Sequence, residues 1–270
     1  MVWRVEKEGR QSFLVGTAHF IPHSFRSSLS RYIKGARYVL IEGPLDREHM
    51  NEVVRAGFEK DVPHIFDDLD DRVVDRIKQI FEPPCRKRNV PFFILHTRSF
   101  ESEQSLYDSL EGMKHWMAFF TLWGKFTGKL GWKHSVDMEA YSIALEMKKE
   151  VIPLETIEEQ VVVLNGIPRE KVVDFINRID QWEEYARSYQ ENYLAGDLKN
   201  LMSVPGRFPT LTLPVIGERD RILYMRMKRY LEEGNAVAFV GAPHIQGINE
   251  LLRLDGYSST SILHSTKERH

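Results

Sequence analysis

The chain carries one short pattern twice, near its start and near its end: an apolar run, a glycine, and a histidine three residues after the glycine. The copies span residues 13–19 and 238–244. Each apolar run predicts a buried strand, and the glycine-led turn puts the histidine at the strand's carboxyl end, where open α/β sheets bind ligands. We therefore expect His19 and His244 to lie around one cleft, in a shared metal site or catalytic pocket.

The sequence context separates these two histidines from others with the same spacing. Glycine followed by histidine at this spacing occurs four times in the chain, whereas chance gives roughly 0.6. The copies that end at His115 and His134 lack an apolar run before the glycine. A lone histidine is more often a core or loop side chain, so the functional interpretation depends on the matched pair.

Glu42 ends a third apolar run and is the natural carboxylate partner of the two histidines. Two imidazoles and one carboxylate form a site for a divalent transition metal, with Mn, Co and Zn as candidates, and leave a position open for water. Such an ion lowers the pKa of its bound water and polarises a carbonyl. The alternative for Glu42 is an acid that interacts with backbone N–H groups of the next helix.

Three further polar residues are candidates for the same site. Glu155 follows a predicted short strand, where it could orient a ligand histidine or act as a general base; the alternative is an acid stabilised by a helix N-terminus. Asp137 has the same ambiguity, with helix capping favoured. Arg219 begins a predicted helix, and a solvated charge cluster is its competing interpretation.

The order and spacing of these residues resemble the TraB/PrgY/GumN family, which includes the Tiki proteases and is distantly related to erythromycin esterases and ChaN-like haem-binding proteins. The resemblance spans nearly the whole chain and rests on Gly16-x-x-His19, Ile41-Glu42-Gly43-Pro44-Leu45-Asp46, Asp137, Leu154-Glu155-Thr156, Ile216-Gly217-Glu218-Arg219-Asp220 and Gly241-x-x-His244. Pro243 departs from it, since a small residue is more usual there, and so does Ser135-Val136 before Asp137, where the family often has a glycine.

The resemblance implies metal-dependent hydrolysis in some members, while many members have no known substrate. It also implies that Arg219 faces the cleft, where it would bind a carboxylate or stabilise an oxyanion. We thus predict His19, Glu42 and His244 as metal ligands, and Glu42, Glu155 and Arg219 as catalytic residues.

Composition limits the function classes. A net charge of −2 argues against nucleic-acid binding, which favours a basic surface. The single cysteine, Cys85, excludes an intrachain disulfide and fits a reducing compartment. The chain's first residues lack a signal-peptide pattern and no apolar run is long enough to span a bilayer. We therefore expect a cytoplasmic protein, although the aromatic stretch over residues 116–132 leaves a peripheral membrane contact open.

The pattern of elements predicts an α/β fold, with a central mixed sheet built from the N- and C-terminal portions and flanked by helices. Strands are predicted over residues 2–6, 11–16, 38–42, 151–154, 236–240 and 257–263. Helices are predicted over residues 27–35, from Asp67 or Asp68 to 81, and over 104–123, 137–149, 156–165, 168–194, 219–233 and 245–254. We expect one domain over residues 1–270, with a helical insertion or cap over about 97–132 and 156–233.

Three functions remain open from the sequence. The first is a metal-dependent hydrolase of a peptide or another acyl substrate. The second is a metal-independent, esterase-like hydrolase in which a histidine is the base for water. The third is a non-catalytic protein that binds a peptide, a haem-like ligand or a signalling partner. In the hydrolase interpretations, aromatic residues of 104–132 would form the apolar wall of the cleft; the alternative is a helical core away from the histidines.

Overall fold

One six-stranded mixed sheet organises the molecule in a computed structural model that describes residues 1–81, 105–203, 208–212 and 215–262. Its strands are β1 (Val2–Lys7), β2 (Arg10–Thr17), β3 (Tyr38–Ile41), β4 (Glu150–Pro153), β5 (Ala236–Gly241) and β6 (Ser258–Ser261). Their order is β4-β3-β5-β2-β1-β6. The pairs β4–β3, β3–β5 and β5–β2 are parallel, and β2–β1 and β1–β6 are antiparallel. The predicted mixed sheet, built mainly from the two ends of the chain, is confirmed.

Twelve α-helices accompany the sheet within the described ranges. They are α1 (Arg26–Gly35), α2 (Arg47–Ala56), α3 (Asp71–Phe81), α4 (Leu106–Leu110), α5 (His115–Lys129), α6 (Val136–Glu146), α7 (Ile157–Asn165), α8 (Arg169–Ile176), α9 (Trp182–Ala195), α10 (Leu198–Met202), α11 (Gly217–Glu233) and α12 (Ile245–Leu254). Among the residues described, none of the helices is long and apolar enough to cross a bilayer.

Alternate residues of the strands pack on opposite faces of the sheet. Val39 and Val237 pack with residues of α1 and α6 on one face, whereas Leu40 and Ala238 pack with residues of α11 and α12 on the other. Successive side chains of a strand point to opposite faces, so a strand covered on both sides must be apolar throughout. This explains why β3 and β5 are continuous apolar runs.

A third apolar cluster is almost entirely helical and contains residues of α3, α4, α5, α8 and α9. The indole ring of Trp123 lies against the rings of Phe175, Trp182 and Phe208, with centroid distances of 5.5, 5.5 and 5.1 Å. Phe119 is buried in the same cluster. The aromatic residues of α5 therefore fill a helical core, and the prediction that they form the wall of the cleft was wrong for these side chains.

Several predicted helix boundaries also need correction. α3 begins at Asp71, because residues 65–68 form a separate 3₁₀ turn. The helix over 104–123, in which Gly112 is the predicted weak point, is two helices that are separated around Gly112, where φ is +70°. The predicted long helix after Pro168 divides into α8 and α9 around a second 3₁₀ turn, Ile179–Gln181. Cys85, Gln104 and Leu263 lie outside the described residues.

Candidate functional site

The carboxyl ends of three parallel strands bring the candidate residues to one edge of the sheet. In the ladder between β2 and β5, Thr17 is paired with Gly241, and in the ladder between β3 and β5, Ile41 is paired with Phe239. His19, Glu42 and His244 follow these strand ends within three residues. The sequence therefore places three potential ligands at the edge where open α/β sheets bind substrates.

The glycines of the two repeated motifs are required by close packing between the motifs. A Cβ atom on Gly16 would lie 3.3 Å from the Cα atom of Ala242, in the second motif. A Cβ atom on Gly241 would lie 3.2 Å from Oε2 of Glu42 and 3.5 Å from Cδ2 of His244. The Gly241 N–H also donates to Glu42 Oε2 at 2.7 Å. These glycines allow the backbone to approach the site closely.

Arg219, in the first turn of α11, holds two carboxylates together. Its Nε donates to Glu155 Oε1 at 2.8 Å, and its Nη2 donates both to the other Glu155 oxygen and to Glu42 Oε1, the latter at 2.5 Å. Bidentate pairing of this kind fixes both position and orientation. Arg219 and Glu155 are buried, so Arg219 is not part of a solvated charge cluster, while Glu155 directly precedes Thr156, the N-cap of α7.

The mutual attraction of these groups shifts their proton affinities in opposite directions. Burial alone would raise the pKa of Glu42, but the charges of Arg219, His244 and His19 and the N–H of Gly241 together lower that pKa to about 2. Burial opposes the charge of Arg219, yet Glu42 and Glu155 raise the pKa of its guanidinium. Both groups are therefore held in their charged forms.

His244 is buried beside this cluster. Its Nδ1 lies 2.7 Å from Asp220 Oδ1, while its Nε2 lies 3.4 Å from Arg219 Nη1 and 4.0 Å from Glu42 Oε1. Asp220 did not appear among the site residues predicted from the sequence. The available signal was its position next to Arg219, since two neighbouring residues of a helix's first turn can reach the same cleft.

His19 lies at the end of β2 and has a different environment. Its side chain is 63% exposed, and its Nδ1 lies 2.9 Å from Oδ2 of Asp137, which is buried. The negative charge of Asp137, helped by that of Glu42, raises the pKa of His19 to about 9. The prediction that Asp137 caps a helix was wrong: the Ser135 side chain caps α6 by accepting the Met138 N–H at 3.3 Å.

The structure thus connects four of the five predicted site residues directly: Glu42, Glu155, Arg219 and His244. His19 acts on Glu42 only at longer range, through its charge. Across residues 1–81, 105–203, 208–212 and 215–262, no group of three or more His, Cys, Asp or Glu side chains is arranged to hold a metal ion.

The donor chemistry nevertheless fits a metal ion. Each histidine has its Nδ1 beside a carboxylate, Asp137 for His19 and Asp220 for His244, and metal-binding histidines are usually held in this way through their second ring nitrogen. This arrangement leaves both Nε2 atoms as the potential ligand atoms. Each oxygen of Glu42 has two lone pairs, so its bonds to Arg219 and Gly241 leave capacity for another partner.

His115 and His134, which end the two copies without an apolar run before the glycine, have other partners. His115 Nε2 lies 2.6 Å from the carbonyl oxygen of Ile167, and His134 Nδ1 lies 3.0 Å from Glu139 Oε1. His23, only four residues after His19, is exposed and lies near Gln190. Nothing links these three side chains to Glu42 or Arg219 in the described part of the chain, and they are suitable controls.

The protein is an α/β protein with a mixed sheet covered by helices on both faces. Its candidate active site is the charged cluster at the carboxyl edge of the sheet, where segments from both ends of the chain meet. The model of the TraB/PrgY/gumN family matches residues 1–261. The chain belongs to that family. A search of curated proteins finds no match.

Proposed function

We propose that this protein is a hydrolase of peptides or other acyl substrates, which uses a divalent transition metal bound by His19, Glu42 and His244. The observation that carries the proposal is the pair of histidines at neighbouring parallel strand ends, each with Nδ1 close to a carboxylate oxygen, at 2.9 Å for His19 and 2.7 Å for His244. When bound, such an ion supplies an activated water and polarises the substrate carbonyl.

The protein's own residues have distinct parts in this proposal. Asp137 and Asp220 lie at Nδ1 of the two imidazoles and leave Nε2 as the ring nitrogen for the metal. The ion would have to replace the Arg219 N–H at Nε2 of His244 and the proton that the raised pKa of His19 retains. Arg219 has five N–H donors, and these bind Glu42, Glu155, the Val215 carbonyl and Nε2 of His244. In this proposal Arg219 and Glu155 hold Glu42 in place, and their catalytic roles stay predictions.

A cavity beside the cluster offers room for a substrate. It has a volume of about 760 Å³, and Glu155 and Leu154 line it together with residues of β3 and β4 and the exposed Leu145. This volume is within the range of ordinary small-molecule and cofactor sites, roughly 300–1,000 Å³. The cavity shares Glu155 with the charged cluster, whereas His19, Glu42 and His244 are not among its lining residues. A substrate bound there would meet the cluster at Glu155.

A metal-independent hydrolase is the second candidate, and the His244–Asp220 pair favours it. A histidine whose Nδ1 is held by a buried carboxylate is the general base of many hydrolases, because the carboxylate fixes the tautomer and stabilises the imidazolium. In this version, Nε2 of His244 takes a proton from water directly. This version of the reaction does not require His19 to bind a metal.

The test is metal analysis and hydrolysis by the full chain purified without a histidine tag. Peptide and aryl-ester panels would be assayed before and after chelation, and after addition of Mn²⁺, Co²⁺ or Zn²⁺. The metal-dependent proposal expects about one bound ion, loss of hydrolysis on chelation and recovery with metal. Hydrolysis that survives complete removal of metal would instead establish the second candidate, and no hydrolysis under any condition would contradict both.

His19→Ala is the most informative variant, because the side chain is largely exposed and contributes little to the core. We expect it to reduce metal affinity by at least about tenfold and to abolish metal-dependent hydrolysis, with little change in melting temperature. The matched control is His23→Ala, an exposed histidine four residues away, which should leave both properties unchanged. Equal behaviour of the two variants would remove His19 from the site.

A further inference from the structure

Asp220 and Gly247 form a contact that none of the roles above explains. Gly247 is the third residue of α12, and Asp220 is in the first turn of α11. A Cβ atom on Gly247 would lie 2.7 Å from Cγ of Asp220 and 3.2 Å from its Cβ, and it would overlap Oδ2. The glycine therefore makes the space that the Asp220 carboxylate occupies.

Rotation of the Asp220 side chain would not make room for a larger residue at position 247. The side chain of Asp220 is short, and even its Cβ would be in tight contact with an added methyl group. Its Oδ1 is also held by His244 Nδ1 at 2.7 Å. Any larger residue at position 247 must displace the carboxylate or move α12 relative to α11.

We propose that Asp220 and Gly247 are positioning residues for His244: Gly247 admits the carboxylate, and Asp220 fixes the imidazole with its proton on Nδ1. Nε2 is then the unprotonated nitrogen, and it is the ring atom that lies beside Arg219 and Glu42. The purpose of this arrangement rests on the proposed function, but the tautomer and the contact can be tested without it.

The same turn of α11 thereby fixes both halves of the cluster. Arg219 holds the carboxylate of Glu42, and the next residue, Asp220, holds the imidazole of His244. The distance between Glu42 Oε1 and His244 Nε2, 4.0 Å, is consequently set by one helical turn that contacts both groups. Moving Asp220 alone should disturb His244 while leaving the pair between Arg219 and Glu155 in place.

The experiment is nitrogen-15 NMR of the histidine rings in the full chain, recorded at mildly alkaline pH so that neutral rings reveal their tautomers. The wild-type protein should show His244 protonated on Nδ1 alone. Gly247→Ala and Asp220→Ala should each replace this signal with a mixture of tautomers or with Nε2 protonation. Gly128→Ala is the matched control. Gly128 lies on a different helix, α5, and a Cβ atom added there would meet nothing within 4 Å.

Metal titration with Zn²⁺ or Mn²⁺ separates failure of this inference from failure of the proposed function. We expect Gly247→Ala to weaken metal binding about 10- to 100-fold relative to Gly128→Ala. If the wild-type protein binds no metal but the tautomers behave as described, the positioning roles stand and the metal-dependent function fails. A wild-type His244 protonated on Nε2 would overturn the positioning roles, and this result does not depend on any variant folding. A folded Gly247→Ala variant that keeps the Nδ1 tautomer would overturn them as well.

Discussion

Arg219 is the buried cation that joins two acidic side chains of the candidate site. It is buried between two carboxylates that come from the ends of β3 and β4, and a backbone bond from the Glu155 N–H to the Glu42 carbonyl aligns those two residues. A buried ion pair is costly to assemble, because both charges lose their hydration. Once assembled, however, each member depends on the others to remain charged in the interior.

Arg219→Met should therefore destabilise the protein strongly. Removing the guanidinium leaves Glu42 and Glu155 buried without their partner, and breaking a buried pair in this way costs about 3–5 kcal/mol. Urea unfolding followed by circular dichroism measures the change. Arg76→Met is the control, since Arg76 pairs with Asp180 on the surface and should cost less than about 1 kcal/mol. Similar losses in the two variants would contradict the buried role of Arg219.

Glu42 should make the protein sensitive to acid. Its pKa is lowered from its usual 4.5 to about 2 in the folded protein, so the unfolded chain binds a proton at higher pH than the folded chain does. The stabilising contribution of Glu42 is complete above pH 4.5 and is lost as the pH falls towards 2. Glu42→Gln should thus flatten the fall in unfolding free energy between these pH values, by up to about 1.4 kcal/mol per pH unit. An identical slope in the variant would show that Glu42 is not held in its charged form.

At the scale of residues, the sequence identifies site residues that follow apolar runs more readily than the acidic residues that contact the histidines. His19, Glu42, Glu155 and His244 each stand at the end of a recognisable strand. Asp137 and Asp220 lie within first turns of helices, where an acid is equally well explained by capping or by the helix dipole. Their contacts with His19 and His244 depend on tertiary packing, which no local pattern contains.

At the scale of elements, α5 is a core helix that carries an unusual number of aromatic residues. Nine of its residues are buried, among them Trp116, Phe119 and Trp123. It packs mainly against α8 and α9, where Phe175 and Trp182 surround the Trp123 ring. The apolar side chains of α5 are thus buried within the helical cluster.

Trp123→Ala should lower the free energy of unfolding by about 3–5 kcal/mol, because it leaves a large cavity in that cluster. Affinity for any substrate should be unchanged in the protein that remains folded. Thermal unfolding combined with a binding assay measures both quantities, and Leu130→Ala, at an exposed position just after α5, is the control. Weaker substrate binding at an unchanged melting temperature would restore the interpretation of α5 as a cleft wall.

Helix existence follows from the apolar periodicity, but helix boundaries depend on caps and on competing turns. Asp46 caps α2 by accepting two backbone N–H groups of the first turn. α8 and α9 share one apolar periodicity, so their separation at residues 177–181 was not visible in the pattern. Packing of Ile179 and Trp182 into the same cluster compensates for the break in the helix.

At the scale of the whole molecule, α9 joins the helical cluster to the sheet. Its first half supplies Trp182 and Tyr185 to the helical cluster, and its second half supplies Tyr193 to the face of the sheet. The Tyr193 hydroxyl also donates to the carbonyl of Gly16 at 2.7 Å. One continuous helix therefore couples the two cores mechanically.

We expect this coupling to make the described core unfold as one cooperative unit, in line with the single domain predicted from the sequence. Hydrogen exchange measured by mass spectrometry in increasing denaturant should show α5, α8 and β5 losing protection together. Earlier loss in α5 and α8, with β5 still protected, would instead show that the helical cluster is an independent unit.

The fold class was predictable because buried parallel strands are short, continuous apolar runs, and such runs occur near both ends of this chain. The helical cluster was less predictable. Aromatic residues at helical spacing indicate burial, but they do not indicate whether the buried surface faces a core or a ligand. That choice is made by α8 and α9, whose relation to α5 is set by long-range packing.

The position of β5 between β2 and β3 has a consequence for synthesis on the ribosome. The Ala236 N–H is bonded to the side chain of Ser12, 224 residues earlier. At about 5–20 residues per second, roughly 10–45 s separate translation of β2 from translation of its central neighbour. During that interval the nascent chain exposes the facing edges of β2 and β3 and lacks His244. Folding of the sheet and assembly of the candidate site must therefore both wait for β5, and until then the facing edges of β2 and β3 are open to pairing with other chains.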